Sequence, residues 1–346
     1  MEQEKYALEV MWYITEKCNL RCKHCYSGDE WISSTRNEEL GFAECKNVIS
    51  QIEELKENYH IVRVGLLGGE PFMRKDIWNV IELLCQIGIS VNIATNGTLI
   101  TSETAEKLKD IGVSFVQVSL EGPNEEVNDK IRGKGSFRKA IKGLENLINV
   151  GIKTSIMMTV SKYNINYIDK MIDLGLQVGV SSVTFNRFIP IGRGKSSSNF
   201  TLSRQEFKQM IQTIIREKIR NKNNIEIWCE DPLFYSNYYS RDLNYAKGGC
   251  SAGISVIAIL PNGLIYPCRK LPIVLGNVKE NRLNSILLKG NNSILNILRT
   301  REQLKGKCGR CDKKFICGGC RAMAYALTQD YMGEDPHCWI STEVVK

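Results

Sequence analysis

No stretch of this 346-residue chain reaches the roughly 18 apolar residues of a membrane-spanning helix, and the first ten, MEQEKYALEV, lack the apolar run of a signal peptide. These absences predict a cytoplasmic protein with no membrane partner. There is no repeat of solenoid period, which excludes stacked-repeat architectures. Charge of one sign is also scarce: 46 Lys and Arg face 38 Asp and Glu, a net +8 that is dispersed along the chain. That balance reads as a solvated surface and gives no reason to expect a nucleic-acid partner. It is compatible with an acidic electron donor or a small anionic substrate.

What is abundant is cysteine. Thirteen thiols accompany an ordinary 43% apolar and 24% charged composition. In a reducing compartment disulfides are rare, so such cysteines point to metal ligands or catalysts. The length suffices for one large core and a smaller appended unit.

Apolar, β-rich runs alternate with helical patterns through the first two thirds of the chain. Strands are predicted at 8–15, 61–67, 90–95, 115–120, 153–160 and 182–188, with helices between them at 76–87, 102–111, 136–150 and 166–174. Asn37 is placed to cap a first helix running to about Asn58, and Ser203 with Glu206 forms a capping box for a helix ending near Asn221. Strands separated by helices pair in parallel through right-handed crossovers. Six such units fit an incomplete barrel or an open doubly wound sheet, and either places the active site where the strands' C-terminal ends feed their loops. GRGKSSSN at 192–199 reads as a surface loop. After Cys229 the alternation stops, and eight of the thirteen cysteines lie from there to Cys338. The division is therefore 1–228 and 229–346.

Cys18, Cys22 and Cys25 follow the first strand in KCNLRCKHCY. Three thiolates within eight residues can wrap one metal centre, and three ligands leave a four-iron cluster with one iron open to a small molecule. Zinc is the competing reading, but it usually closes its shell with a fourth ligand such as His24. Cys45 and Cys85 fall in helical patterns and read as small core residues. Cys308, Cys311, Cys317 and Cys320 are spaced C-x2-C-x5-C-x2-C, a pattern that a zinc knuckle would also satisfy.

The C-x3-C-x2-C loop after a first strand resembles the signature of the radical S-adenosylmethionine (radical SAM) superfamily. Later positions agree: Gly68-Gly69-Glu70-Pro71 after the second strand resembles the GGEP motif, and Asn96 lies in a Thr-Asn-Gly turn ending the third. Ser119 and Glu121 stand at the end of the fourth, and Arg132 follows in KIRGKGSF. The resemblance implies a partial (β/α)6 TIM-like barrel in an α/β chain. It also implies an open iron chelated by the methionine part of S-adenosylmethionine, with Gly68, Gly69 and Glu70 near its amino group. Asn96, Ser119 and Glu121 would lie along the cofactor, and Arg132 would meet its carboxylate.

The C-terminal cysteines resemble the SPASM extension, which binds two auxiliary four-iron clusters, making three in all. The resemblance assigns Cys250, Cys268 and Cys320 to the first auxiliary cluster and Cys308, Cys311, Cys317 and Cys338 to the second. The fourth ligand of the first is then Cys229, a side chain other than cysteine, or none. The implied activity is hydrogen-atom abstraction, fed by a flavodoxin or ferredoxin electron donor. The implied substrate is a peptide or protein. The run CGGCRAMAYALTQDYMGEDPHC also resembles relatives that decarboxylate tetrapyrroles. Arg269 after Cys268 replaces the aspartate base of sulfatase-maturing relatives. Arg187, Arg193 and Arg269 are candidates for substrate carboxylates, with exposed surface positions as the default. A non-enzymatic zinc or electron-carrier protein is the alternative of a different class, and it would not need Glu70, Glu121 and Arg132 on successive strand ends.

Overall fold

A computed structural model describes residues 7–27, 39–238, 249–288 and 290–340 of the chain. Seven parallel strands run side by side in chain order: β1 (Ala7–Tyr13), β2 (Ile61–Leu67), β3 (Ser90–Thr95), β4 (Phe115–Ser119), β5 (Lys153–Val160), β6 (Ser182–Arg187) and β7 (Glu226–Cys229). The helices between them are α1 (Phe42–Glu54), α2 (Ile77–Gln86), α3 (Ser102–Ile111), α4 (Glu125–Arg132), α5 (Ser136–Asn149), α6 (Ile168–Val178) and α7 (Arg204–Arg220). After α8 (Pro232–Tyr238), strand β8 (Val256–Ile259) adds in parallel to the free side of β1. Two short strands, β9 (Leu264–Tyr266) and β10 (Gly276–Asn277), continue antiparallel. The order is thus β10-β9-β8-β1-β2-β3-β4-β5-β6-β7, a sheet with two edges.

Alternation along the strands explains the curvature and the location of the site. Val10, Trp12, Val64, Leu66, Ile93, Val116, Val118, Ile156, Met158 and Phe185 share one buried cluster with Val48, Ile52, Leu84, Leu108, Leu144 and Phe207 of the helices. The residues between them, among them Asn92, Gln117, Ser155, Thr184 and Asn186, point to the opposite face, where Ser155 and Thr184 hydroxyls lie 3.2 Å apart. One face is sealed by helices; the other is a lumen that is polar along β4–β6 and apolar where Met11, Tyr13, Leu67, Ala94 and Ala258 cluster, which is a partial barrel's arrangement.

Several sequence expectations meet their caps. Ser203 and Glu206 form the reciprocal box at the start of α7. Thr101 accepts from Thr104 N–H at the start of α3, and Gly112 ends it with φ +96°. Others are corrected. Asn37 lies outside the described residues, and α1 begins after Gly41, whose N–H donates to Glu44 Oε2 at 2.7 Å. A seventh parallel strand follows α7, and α4 adds a helix between the fourth strand and the helix expected at 136–150, held by Asn124 accepting from Val127 N–H. Residues Gly192–Phe200 form 3-10 turns rather than an open surface loop, with Gly192 and Gly194 buried. No helix among the described residues is long and apolar enough to cross a membrane.

Helix α5 approaches the β3 exit so closely that a Cβ on Gly143 would lie 2.3 Å from the Gly97 carbonyl oxygen. Gly143→Ala is therefore expected to lower stability by about 1–3 kcal/mol through backbone displacement. Urea unfolding measures this, and an unchanged midpoint would show that α5 does not sit so tightly.

Candidate active site

Loop 18–26 leaves β1 with three thiols and is gripped by the exits of the neighbouring strands. The β2 exit comes first. Gly69 N–H donates to the Thr15 carbonyl at 2.8 Å and Glu70 N–H to that of Lys17 at 2.7 Å. A Cβ on Gly68 would meet the Thr15 oxygen at 2.4 Å, and one on Gly69 the Lys17 oxygen at 2.4 Å. The close approach that these glycines permit is therefore to the root of the cysteine loop.

Glu70 is fully buried. Its Oε1 accepts from Thr95 Oγ1 at 2.8 Å and Phe72 N–H at 3.3 Å, and its Oε2 accepts from Asn96 N–H at 2.8 Å. Burial pushes its carboxyl up to about 7 against those donors. Among the described residues no cation pairs with it directly. Asn96 in turn braces the loop, donating to Asn19 Oδ1 at 2.8 Å with Cys18 Sγ 3.9 Å away.

The β4 exit grips the other side. Glu121, fully buried, collects Arg132 Nη2 at 2.7 Å and Nε at 3.1 Å, His24 Nε2 at 3.0 Å and Thr159 N–H at 2.8 Å. Burial raises its carboxyl, but His24 and Arg132 more than offset that and hold it at about 2. Arg132 Nη1 lies 4.0 Å from Cys22 Sγ. His24 thus serves as a tether to Glu121, and Arg132 links that carboxylate to the cluster loop. Ser119 stands half-buried at the end of β4.

The β6 exit completes the collar, and it escaped sequence reasoning. Gly194 N–H donates to the Cys25 carbonyl at 3.0 Å, Arg193 Nη1 to that of Cys22 at 3.3 Å, and Ser197 Oγ to that of Lys23 at 3.1 Å. A Cβ on Gly192 would meet the Tyr26 oxygen at 2.1 Å. The GRG triplet was the visible signal, read instead as surface punctuation.

The second set of thiols lies beyond β7. Cys308, Cys311, Cys317 and Cys338 line one pocket with Leu233, Gly318 and Gly319. Cys250, Cys268 and Cys320 belong together in a separate apolar cluster with Leu271 and Met323. Cys229 is fully buried in the main core, apart from that trio. Cys45 is buried there too, and Cys85 packs against it. Among the described residues no three Cys, His, Asp or Glu side chains are gathered to hold a single ion. Burial pushes Cys25 up to about 11 and Cys317 and Cys320 up to about 12. Such thiols stay protonated until a metal takes them as thiolates. Amide donors already face the sulfurs, with Leu20 N 3.4 Å from Cys18 Sγ, Gly319 N 3.4 Å from Cys317 Sγ and Asp335 N 3.4 Å from Cys308 Sγ. Sulfur-rich sets with amide donors fit iron–sulfur clusters.

The three arginines considered for substrate carboxylates are committed within the protein. Arg187 is buried between Asp231 and Asp335, and Arg193 holds the cysteine loop. Arg269 pairs with Glu230 Oε2 at 2.8 Å, which also accepts from Asn186 Nδ2 at 3.0 Å. None is the free surface arginine of the default reading.

Comparison with known proteins agrees with this geometry. The Radical SAM superfamily pattern matches residues 12–175, and an iron-sulfur cluster-binding domain matches residues 250–312. An AdoMet-dependent heme synthase of Methanosarcina barkeri is 32% identical over 95% of each chain. The mycofactocin maturase MftC of Mycolicibacterium smegmatis is 31% identical over 95% of this chain and 82% of its own. Among solved structures, Streptococcus suis SuiB bound to precursor peptide SuiA superposes with a TM-score of 0.75, covering 97% of this chain and 76% of that one. At 20% identity that likeness speaks for the fold alone.

Glu121→Gln removes the carboxylate to which His24 and Arg132 are tethered. The group's folded value of about 2 lies below its ordinary 4.5, so its stabilisation is present above about 4.5 and lost as pH falls toward 2. Wild type is expected to exceed the variant by on the order of 3 kcal/mol at neutral pH, the equivalent of that shift. The gap should shrink in unfolding curves taken below pH 4.5, and a pH-independent gap would contradict the assignment.

Proposed function

Because the chain belongs to the radical SAM superfamily and carries its iron–sulfur extension, we propose that it cleaves S-adenosylmethionine reductively and removes a hydrogen atom from a peptide substrate. Cys18, Cys22 and Cys25 hold the four-iron cluster that leaves one iron for the cofactor. When bound, cluster and cofactor together supply a 5′-deoxyadenosyl radical, which takes the hydrogen atom. The protein's own work is placement and exclusion of water.

The observation that carries this reading is Glu70, a buried carboxylate beside the cysteine loop with no direct cationic partner among the described residues. Its Oε2 takes a single donor there, so it can receive the cofactor's ammonium, which would keep it ionised despite burial. Arg132 uses Nε and Nη2 on Glu121 and directs Nη1 toward Cys22, where it is positioned to meet the cofactor's carboxylate. Glu121 is saturated by protein donors and acts as an anchor, while Ser119 and Asn96 border the cofactor. Cys250, Cys268 and Cys320 hold one auxiliary cluster and Cys308, Cys311, Cys317 and Cys338 another, with electrons entering from a flavodoxin or ferredoxin. The extension begins at residue 229 in this reading.

A peptide suits the lumen better than a polycarboxylate does. Arg187, Arg193 and Arg269 are all neutralised or held internally, and the lumen offers amides and hydroxyls such as Asn92, Gln117, Ser155 and Asn186. Tetrapyrrole decarboxylation is the second reading, favoured by end-to-end similarity to chains named heme synthases.

Anaerobic incubation with peptides encoded beside the gene, and in parallel with iron coproporphyrin III, separates the two by product mass spectrometry. A peptide lighter by hydrogen or newly cross-linked is expected, and a decarboxylated porphyrin would overturn the peptide reading. Reconstituted protein should carry about 12 irons per chain. The Cys18, Cys22, Cys25 triple alanine variant should form no 5′-deoxyadenosine while keeping iron in the C-terminal sites.

Glu70→Gln should weaken S-adenosylmethionine binding about 10- to 100-fold, the equivalent of one charge-assisted hydrogen bond. Equilibrium binding to the reconstituted enzyme measures it, and wild-type affinity would reduce the GGEP segment to a turn.

A further inference from the structure

Arg187 ends strand β6 and is 3% exposed, a cation removed from water. Its Nε lies 2.8 Å from Asp231 Oδ2, its Nη1 donates to Asp335 Oδ1 at 3.1 Å, and its Nη2 meets Asp335 Oδ2. Phe207 covers its plane at 4.3 Å, and His337 Nδ1 lies 3.4 Å from Nη1. Asp335 comes from the cysteine-rich segment and is equally buried. Its Oδ2 accepts from Cys320 N–H at 2.9 Å, and its own N–H points at Cys308 Sγ, 3.4 Å away. One residue therefore touches a cysteine from each auxiliary set. The two sets are linked again through Cys250 N–H, which donates to the Cys317 carbonyl at 2.9 Å.

A buried ion pair is a poor device for stability alone, because well-packed apolar residues of the same volume often serve as well or better. Holding the barrel to the cysteine-rich segment would not require charge. Charge matters where a neighbouring centre changes its own charge, and an iron–sulfur cluster does so at every electron transfer. Reduction potentials of such clusters respond to nearby charge, to hydrogen bonds on sulfur and to burial. Here a buried anion accepts from the Cys320 amide, and a buried cation is paired to that anion.

We propose that the Arg187–Asp335 pair sets the reduction potentials of the auxiliary centres, Asp335 holding them lower and Arg187 holding them higher. This rests on the reading that Cys320 and Cys308 ligate two auxiliary clusters. The pair is a positioning and tuning element that touches no substrate. Removing Asp335's charge leaves Arg187 balanced by Asp231 alone, and removing Arg187's charge leaves the two aspartates, so the two changes act with opposite sign.

The test uses the full chain, reconstituted with iron and sulfide, and redox titration followed by electron paramagnetic resonance. Asp335→Asn is expected to shift auxiliary-cluster potentials upward and Arg187→Gln downward, with iron content and the potential of the Cys18, Cys22, Cys25 cluster unchanged. Arg187→Lys keeps the charge and should stay near wild type. Should Arg187→Gln fail to fold, Asp335→Asn against Arg187→Lys carries the comparison. Unchanged potentials, or a shift of the same sign in the aspartate and glutamine variants, would overturn the inference and leave the pair as a structural clamp. A wild type holding about 4 irons per chain without auxiliary signals would instead remove the underlying cluster assignment.

Discussion

A carboxylate sealed from water must be given donors, and Glu121 receives them from three different parts of the chain. His24 comes from the cysteine loop, Arg132 from α4 and the Thr159 amide from β5. Losing one donor would leave a buried charge short of partners, so the carboxylate fixes the geometry of everything that meets it. Glu70 does the same from β2, with Thr95 and Asn96 at the β3 exit. Between them the two carboxylates hold a loop that has no disulfide and little secondary structure of its own. Three thiols can stay in register there for a cluster because the surrounding strand ends are rigid.

That arrangement depends on the asymmetry of the sheet. Helices seal the face carrying Val10, Leu66, Val116 and Phe185, while the other face carries Asn92, Gln117, Ser155 and Asn186. This inner face, apolar around Tyr13, Tyr26 and Leu67 beside the cysteine loop and polar along β4–β6, gives the radical chemistry a lumen in which a substrate can be enclosed. The Glu230–Arg269 pair spans from the β7 edge to the segment after β9, bringing the two ends of the open sheet together at the mouth. Asn186 connects this pair inward to Met157, whose partner in register is Ser119. The row leads from the proposed cofactor position to the cysteine-rich segment.

The sequence by itself determined the elements and the cast of the site. Period-two runs marked the first six parallel strands, Ser203 and Glu206 announced a helix start, and the cysteine spacing with Glu70, Asn96 and Glu121 at strand ends and Arg132 after the fourth strand named the chemistry. These signals are local, carried by residues a few positions apart. What only the tertiary structure decided was long-range. Strand β7 is four residues long, too short for its pattern to stand out. Arg187 looks like any polar strand end until Asp335, 148 residues away, is brought against it. Gly192 and Gly194 read as loop residues because the backbone they approach, at Tyr26 and Cys25, is distant in sequence. His24 looked like a possible ligand, and its bond to Glu121 turned it into a tether. Burial and pairing belong to the packed chain, so whether a charged residue serves the surface, the substrate or the scaffold is settled only when the strands are in register.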